Sequence, residues 1–404
     1  MGGHLADGRI VVAALSTIDG GSAYAAARLN DDGTFDPTYD GDGRVLLTFQ
    51  SGFDYPQVAF VLPDGGLLFA GQTFSVSPGV VPVVRLDANG ALDSTFDGDG
   101  RTTIDVALFD EAGGVAAQTD GKVIVVAHGD LGGANPLATF IFRLNADGSP
   151  DPSFGGDGRV SFPASSTHVY SLGVAVQSDG KILALASRPA SAMPVVVARL
   201  LIDGTPDPAY DGDGLVEASG NANSITVDAA SRIVIAGGTA NHDFLVRRFT
   251  ETGAPDGSFG TDGGASIDFG GIESGLSVAV SGERLTVAGN TFTVLGTDFA
   301  VARLFAEPGT GAGPTAPLIR FEVRVSPNPI VDDLNVELTL EHEADVRVVI
   351  FDLLGREVAV LHSGPLTAGG YGYQFDAATL PSAVYVVRVE ANGHAVSRVL
   401  SVLR

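Results

Sequence analysis

Arg85-Leu86-Asp87-Ala88-Asn89-Gly90-Ala91-Leu92-Asp93-Ser94-Thr95-Phe96-Asp97-Gly98-Asp99-Gly100-Arg101 is the stretch that decides the fold. It recurs. Residues 28–44 read RLNDDGTFDPTYDGDGR, 143–159 RLNADGSPDPSFGGDGR, 199–215 RLLIDGTPDPAYDGDGL and 248–264 RFTETGAPDGSFGTDGG. The copies lie about 50 to 58 residues apart, the spacing of a repeat architecture rather than of one irregular domain. Each joins the end of one apolar, strand-like run to the start of the next.

A hairpin signal precedes each copy. Asp7-Gly8, Asp64-Gly65, Asp120-Gly121 and Asp179-Gly180 each separate two β-type runs, because Gly accepts the positive φ of a tight turn. Ala230-Ser231 and Gly282-Glu283 hold the same place in two degenerate units. Four short strands per unit of about 55 residues, without helical periodicity, predict propeller blades rather than a β-solenoid. Six hairpins predict six four-stranded blades over 1–305. Taken in the order fourth strand, first, second, third, the last unit is whole, from Gly264–Asp268 to Phe299–Leu304. The first then lacks its opening strand, so an incomplete first blade is expected, with further residues upstream of Met1.

Residues 306–317 carry Gly, Pro, Ala and Thr without periodicity and read as a linker. In 318–404 the pattern alternates cleanly. Leu334, Val336, Leu338 and Leu340 share one face, and Asn335, Glu337 and Thr339 the other. About seven strands in about 85 residues predict a small Ig-like β-sandwich.

Composition narrows the function. A formal net charge of -25 argues against unaided nucleic-acid binding, which needs clustered Lys and Arg, and against docking on anionic membranes. Cysteine is absent, which excludes disulfides, a thiol nucleophile and Cys-based metal sites. No apolar run reaches the ~20 residues of a transmembrane helix, and no signal-peptide pattern opens the chain.

The repeat RLNxDGxxDxxFGxDGR, followed by a DGKI-type hairpin, resembles the delta-60 repeat family, read as β-propeller units of largely unassigned function. The fifth copy departs most, with Gly257 and Thr261 at variant positions. The segment Phe321–Arg404 resembles the type A sorting domain of the type IX secretion system of Bacteroidota-like bacteria. The matching residues include Pro327, Asn328, Pro329, Asp352, Gly355, Tyr385 and the terminal Arg404; Ala383 stands where Gly is usual. The resemblance implies export to the medium or outer cell surface through the type IX machinery, with the tail commonly cleaved. That pathway also uses an N-terminal signal peptide.

Chemistry is sparse. Asp40 and Asp42, Asp97 and Asp99, and Asp211 and Asp213 place hard oxygens at alternate positions of Gly-flexed loops, as Ca²⁺ coordination requires. The competing reading makes the same residues consecutive turns with capping carboxylates. Gly155 and Gly260 replace the first Asp in two copies, which a turn tolerates and a ligand pair does not. No other cofactor is expected. Arg28, Arg85, Arg143, Arg199 and Arg248 are followed eight residues later by Asp36, Asp93, Asp151, Asp207 and Asp256. This spacing predicts an Arg–Asp pair pinning each loop, with Tyr39, Phe96, Phe154, Tyr210 and Phe259 plugging gaps between blades. The seven His residues lack metal-ligand spacing and read as solvated. No nucleophile elbow, phosphate loop or dinucleotide fingerprint is present. The expectation is therefore an exported, non-catalytic propeller contacting a protein or glycan through one face. The rivals are a secreted hydrolase or lyase with its site in the central channel, and a structural spacer.

Overall fold

The computed structural model describes residues 2–5, 7–18, 21–48, 54–73, 80–105, 108–130, 137–162, 170–187, 195–239, 241–293, 296–305, 321–330, 332–352, 356–391 and 394–402. The chain divides into two compact units, 1–309 and 310–404. The linker expected at 306–317 lies outside the described residues.

The first unit is a run of small antiparallel sheets in chain order. The first holds β1 (Gly2–His4), β2 (Ile10–Ile18), β3 (Gly21–Leu29) and β4 (Arg44–Leu47). The second holds β5 (Asp54–Val61), β6 (Leu67–Thr73), β7 (Val81–Leu86) and β8 (Arg101–Ile104). The third holds β9 (Leu108–Ala117), β10 (Val123–Asp130), β11 (Leu137–Leu144) and β12 (Arg159–Ser161). The fourth holds β13 (Tyr170–Val176), β14 (Ile182–Ser187), β15 (Val195–Leu200) and β16 (Leu215–Ala218). The fifth holds β17 (Asn221–Val227), β18 (Ile233–Gly238), β19 (Phe244–Phe249) and β20 (Gly264–Ile267). The sixth holds β21 (Ile272–Ser281), β22 (Arg284–Thr293) and β23 (Gly296–Phe305).

Leading strands of successive sheets pack on each other, β5 on β9, β9 on β13, β13 on β17 and β17 on β21. This places them innermost and the fourth strands at the rim, as in propeller blades. Apolar cores lie between blades rather than within them. One joins Leu68, Val81 and Phe96 of the second blade to Val123, Val125 and Phe142 of the third. Another joins Ile124, Ile141 and Phe154 to Ile182, Val196 and Leu200 of the fourth. Each inner sheet is thus buried on both faces. That is why β6, β10 and β14 read as continuous apolar runs rather than alternating ones.

The expected incompleteness sits at the other end. The fourth strand stays with the unit before it: Arg101 pairs with Val84 and Ile104 with Val81, because the Asp-rich loop folds back on the third strand. The first sheet therefore has four strands, with β1 short, and the sixth has three among the described residues. Exposed large apolar side chains gather on these two end blades, at Ile10, Val12, Leu15 and Leu46, and at Ile272, Phe292, Phe299 and Val301.

The second unit has seven described strands: β24 (Phe321–Ser326), β25 (Asp333–Leu340), β26 (Ala344–Asp352), β27 (Glu357–Leu366), β28 (Gly369–Asp376), β29 (Val384–Ala391) and β30 (His394–Ser401). They form two sheets, β24-β25-β28 and β27-β26-β29-β30. The alternation decides the core. Leu334, Val336, Leu338 and Leu340 of one sheet meet Val346, Val348, Ile350, Tyr385, Val387 and Val389 of the other.

Candidate functional site

The repeated Arg is a buried hub. In the third blade, Arg143 Nε donates to Asp151 Oδ2 (2.7 Å), Nη2 to Ser153 Oγ (2.8 Å), and Nη1 to the Ile202 carbonyl of the next blade. Its guanidinium lies 4.8 Å over the Phe154 ring. The other hubs repeat the ion pair and the stacking, while in the fourth blade Ala209 supplies no hydroxyl and Arg199 Nε and Asp207 Oδ2 lack hydrogen-bond geometry. Arg28, Arg85, Arg199 and Arg248 meet Asp36, Asp93, Asp207 and Asp256 at 2.7–2.9 Å. The aromatics Tyr39, Phe96, Phe154, Tyr210 and Phe259 are buried between blades, as their regular spacing leads one to expect.

A second cation, from the first hairpin, reaches the same Asp in four blades. Arg9 meets Asp36 (2.9 Å), Lys122 Asp151 (3.3 Å), Lys181 Asp207 (3.4 Å) and Arg232 Asp256 (3.9 Å). In the second blade Gly66 stands there, and the Asp93 side chain is 24% exposed. For Asp151, burial opposes ionisation, but hydrogen bonds from Ser153, the Arg143 charge and Lys122 outweigh it and hold the carboxyl at about 2. For Asp36 the Thr38 hydroxyl is the largest influence, and it drives the carboxyl well below the usual range.

The Asp-rich loops carry a specific backbone. Asp40, Asp97 and Asp211 sit at φ 51°, and Gly155 and Gly260 occupy the same position at φ 65° and 58°. Asp and Gly interchange there because both tolerate the left-handed region. The N–H of Asp40, Asp97, Gly155 and Asp211 donates to the next blade, at the carbonyls of Asn89, Asp147, Asp203 and Thr252. Asp42, Asp99 and Asp213 each accept the N–H two residues on, at 2.9–3.0 Å, and so start the fourth strand. All six carboxylate-bearing residues are exposed.

A cleft of about 610 Å³ opens between the third and fourth blades, where their first hairpins and third-strand turns converge. Gln118, Asp120, Lys122, Gln177, Asp179 and Asp203 are among its lining residues. Gln118 Nε2 donates to the Gly180 carbonyl (3.0 Å), and Gln177 Nε2 to the Ser231 carbonyl (3.4 Å). The amide oxygen of each is buried without a protein donor. Sequence reading missed these residues, although a signal exists. The equivalent position before the hairpin is Leu5, Leu62 and Asp228 in other units, so Gln breaks the repeat only in the third and fourth.

One histidine also departs from expectation. His128 is buried rather than solvated, because it packs edge-on against Tyr170 at 5.3 Å between ring centroids. Its Nε2 is 3.8 Å from Glu111 Oε2, and Gln57 Nε2 donates to Glu111 Oε1 (2.7 Å). Burial lowers the His128 pKa, with Glu111 opposing. His168 lies outside the described residues.

In the second unit, Pro327, Asn328 and Pro329 form an exposed turn after β24. Asn328 Oδ1 accepts the Ser401 N–H (2.9 Å), which ties this turn to the last strand. Asp352 accepts from Arg356 through its N–H (2.9 Å) and Nε (2.6 Å). Tyr385 sits opposite Asp352 across β26 and β29, and its hydroxyl donates to the Pro381 carbonyl (3.1 Å). Gly355 and Arg404 lie outside the described residues.

The profile of a domain of unknown function (DUF5122) beta-propeller family matches residues 5–39, 62–96 and 118–154. That of a secretion system C-terminal sorting domain matches 324–402. The chain carries DUF5122 propeller repeats and a secretion sorting domain. Each DUF5122 match runs from the residue starting a first hairpin to the aromatic plug, so it contains the Arg, Asp and aromatic of one hub. The fourth and fifth copies share its Arg–Asp pair and its aromatic plug.

No curated protein matches the sequence. Among solved structures, the chain is similar to the beta-propeller domain of the Trilobed protease from Pyrococcus furiosus. The identity is 9%, over 83% of this chain and 89% of that one, with a TM-score of 0.38. It is also similar to a GH74 xyloglucanase from Xanthomonas campestris, with 12% identity over 97% and 59% and a TM-score of 0.41.

Proposed function

We propose that the chain is an exported propeller protein that binds a hydroxyl-rich ligand of the glycan class in the cleft between its third and fourth blades. The sorting domain acts as its type IX secretion signal. The observation that carries the binding reading is the pair of buried, unpaired amide oxygens of Gln118 and Gln177 lining that cleft. An unmet buried acceptor costs about 1–3 kcal/mol, which a ligand hydroxyl recovers by donating to it. The cleft volume falls in the range of small-molecule sites. Asp120, Asp179 and Asp203 add further acceptors, and Lys122 a donor. The hubs beneath hold the lining turns in place, which limits the ordering cost of binding.

The test is an array of neutral oligosaccharides, followed by calorimetry on any hit. The wild-type chain should bind, and the Gln118→Met/Gln177→Met variant should lose about tenfold or more in affinity. No hit, or equal binding by the variant, contradicts the reading.

The pairing of Glu111 with a buried His128 supports a second reading, a hydrolase or lyase. A carboxylate and a histidine held neutral by burial suit proton transfer. Release of shorter sugars from a bound oligosaccharide, abolished by His128→Gln, would establish it in place of simple binding.

A further inference from the structure

We infer that the chain binds Ca²⁺ between its fifth and sixth blades, through Asp243, Asp268 and Glu273. Asp243 precedes β19, Asp268 follows β20, and Glu273 lies in β21. Each places a carboxylate oxygen within 4.8 Å of the other two. Two oxygens on one Ca²⁺ at bonds of about 2.4 Å can stand no farther apart than about 4.8 Å. The grouping therefore satisfies the upper limit for sharing a single ion.

Glu273 supplies the decisive observation. It is 2% exposed, in a place where a charge persists only if compensated. Its Oε1 accepts from the Gly271 N–H (2.7 Å) and the Thr291 hydroxyl (3.0 Å). Its Oε2 is buried with no donor at all. The other two carboxylates are only partly engaged. Asp268 Oδ1 accepts the Gly270 N–H (2.6 Å), and Asp243 Oδ2 accepts the Thr239 hydroxyl at 3.4 Å. No Lys or Arg pairs with any of the three among the described residues.

The repeat provides a contrast. Asp54 opens the leading strand of the second blade as Glu273 nearly opens that of the sixth. It too is buried, and it takes the Thr73 hydroxyl at 2.8 Å. There, among the described residues, no group of three carboxylates assembles around it. In the sixth blade the longer Glu reaches toward two acids of the neighbouring sheet. Three negative charges then face one another across a blade boundary, and a cation between them ties the sheets together.

The donor set selects the ion. All-oxygen, carboxylate-rich ligation suits Ca²⁺, whose irregular coordination completes readily with water. Zn²⁺ prefers nitrogen and sulfur. Mg²⁺ demands a near-ideal octahedron and gives up its waters reluctantly, so it gains less from three fixed carboxylates.

The experiment is thermal unfolding of the full chain in excess EGTA and in millimolar Ca²⁺ or Mg²⁺, with equilibrium dialysis against Ca²⁺. Ca²⁺ should raise the melting temperature of the propeller by about 3 °C or more, and Mg²⁺ clearly less. One Ca²⁺ should be retained per chain. The Glu273→Gln variant and the surface variant Asp268→Asn should each lose the shift. Asp268→Asn keeps the test decisive should Glu273→Gln fold poorly. The triple variant Asp40→Asn/Asp97→Asn/Asp211→Asn should retain it. No Ca²⁺-dependent shift, a shift surviving Asp268→Asn, or a shift lost only in the triple loop variant overturns the assignment.

Discussion

Replacing Arg143 by Ala tests whether the hubs hold the blades together. The side chain is 5% exposed and its partner Asp151 6%, so the substitution strands a carboxylate away from water. Breaking a buried pair by removing one member costs about 3–5 kcal/mol. Lys122 at 3.3 Å and the Ser153 hydroxyl at 2.7 Å remain on Asp151, which favours the lower end. Loss of the interblade bond to the Ile202 carbonyl adds about 1 kcal/mol, and loss of stacking on Phe154 about 0.5–1 kcal/mol. A total of about 4.5–5 kcal/mol corresponds to a fall in melting temperature on the order of 10 °C. Circular dichroism melts of the wild type, Arg143→Ala, Asp151→Ala and the double variant give the assay. The double variant should be more stable than the sum of the singles by about 1–3 kcal/mol, because no charge is left stranded. A fall below about 2 °C for Arg143→Ala, or strict additivity, refutes the reasoning.

Other consequences are equally accessible. At φ 51°, Asp97→Gly should change stability by no more than about 0.5 kcal/mol, whereas Asp97→Val should cost about 1–2 kcal/mol in urea titrations. Ala209 stands where Thr38, Thr95, Ser153 and Ser258 bridge Arg to Asp in the other blades; Ala209→Ser should raise stability by about 0.5–1.5 kcal/mol in the same titrations. The hub carboxylates Asp36, Asp93, Asp151, Asp207 and Asp256 are all held below the ordinary carboxylate value. Their contribution is thus full above about pH 4, the unfolded-chain value, and is lost as pH falls through the folded values, at about 2 for Asp151. The urea midpoint should drop between about pH 4 and pH 2, and a flat profile there would contradict the linkage.

The propeller was legible because one loop sequence is both local and global. Its glycines state where φ is positive, its Arg and Asp state a pairing eight residues apart, and its aromatic states what fills the gap between blades. The two sheets of the second unit were legible from the period-two pattern of residues 334–340 and 346–350. What stayed hidden depends on neighbours distant in sequence. The frame of each blade follows from which strand the Asp-rich loop folds back onto, and order along the chain does not reveal that. The cleft needs Gln118 beside Gly180, more than one unit away. The burial of His128 comes from Tyr170 of the next blade. Asp243 and Glu273 have no motif spacing and meet only across a blade boundary. Departures from the repeat, such as Gln in place of Leu5 and Leu62, were the signal available.

The most direct test of an exported propeller delivered by its tail is fractionation of a host possessing type IX secretion. The full chain and a version ending at Phe305 would each be fused to the same cleavable signal peptide and quantified in cells, on the surface and in the medium. The full chain should reach the surface or medium. The shortened one should accumulate inside the outer membrane, with its propeller resistant to protease. Equal export of both, or a shortened chain that is unfolded, would contradict the division into a binding propeller and a separate sorting domain.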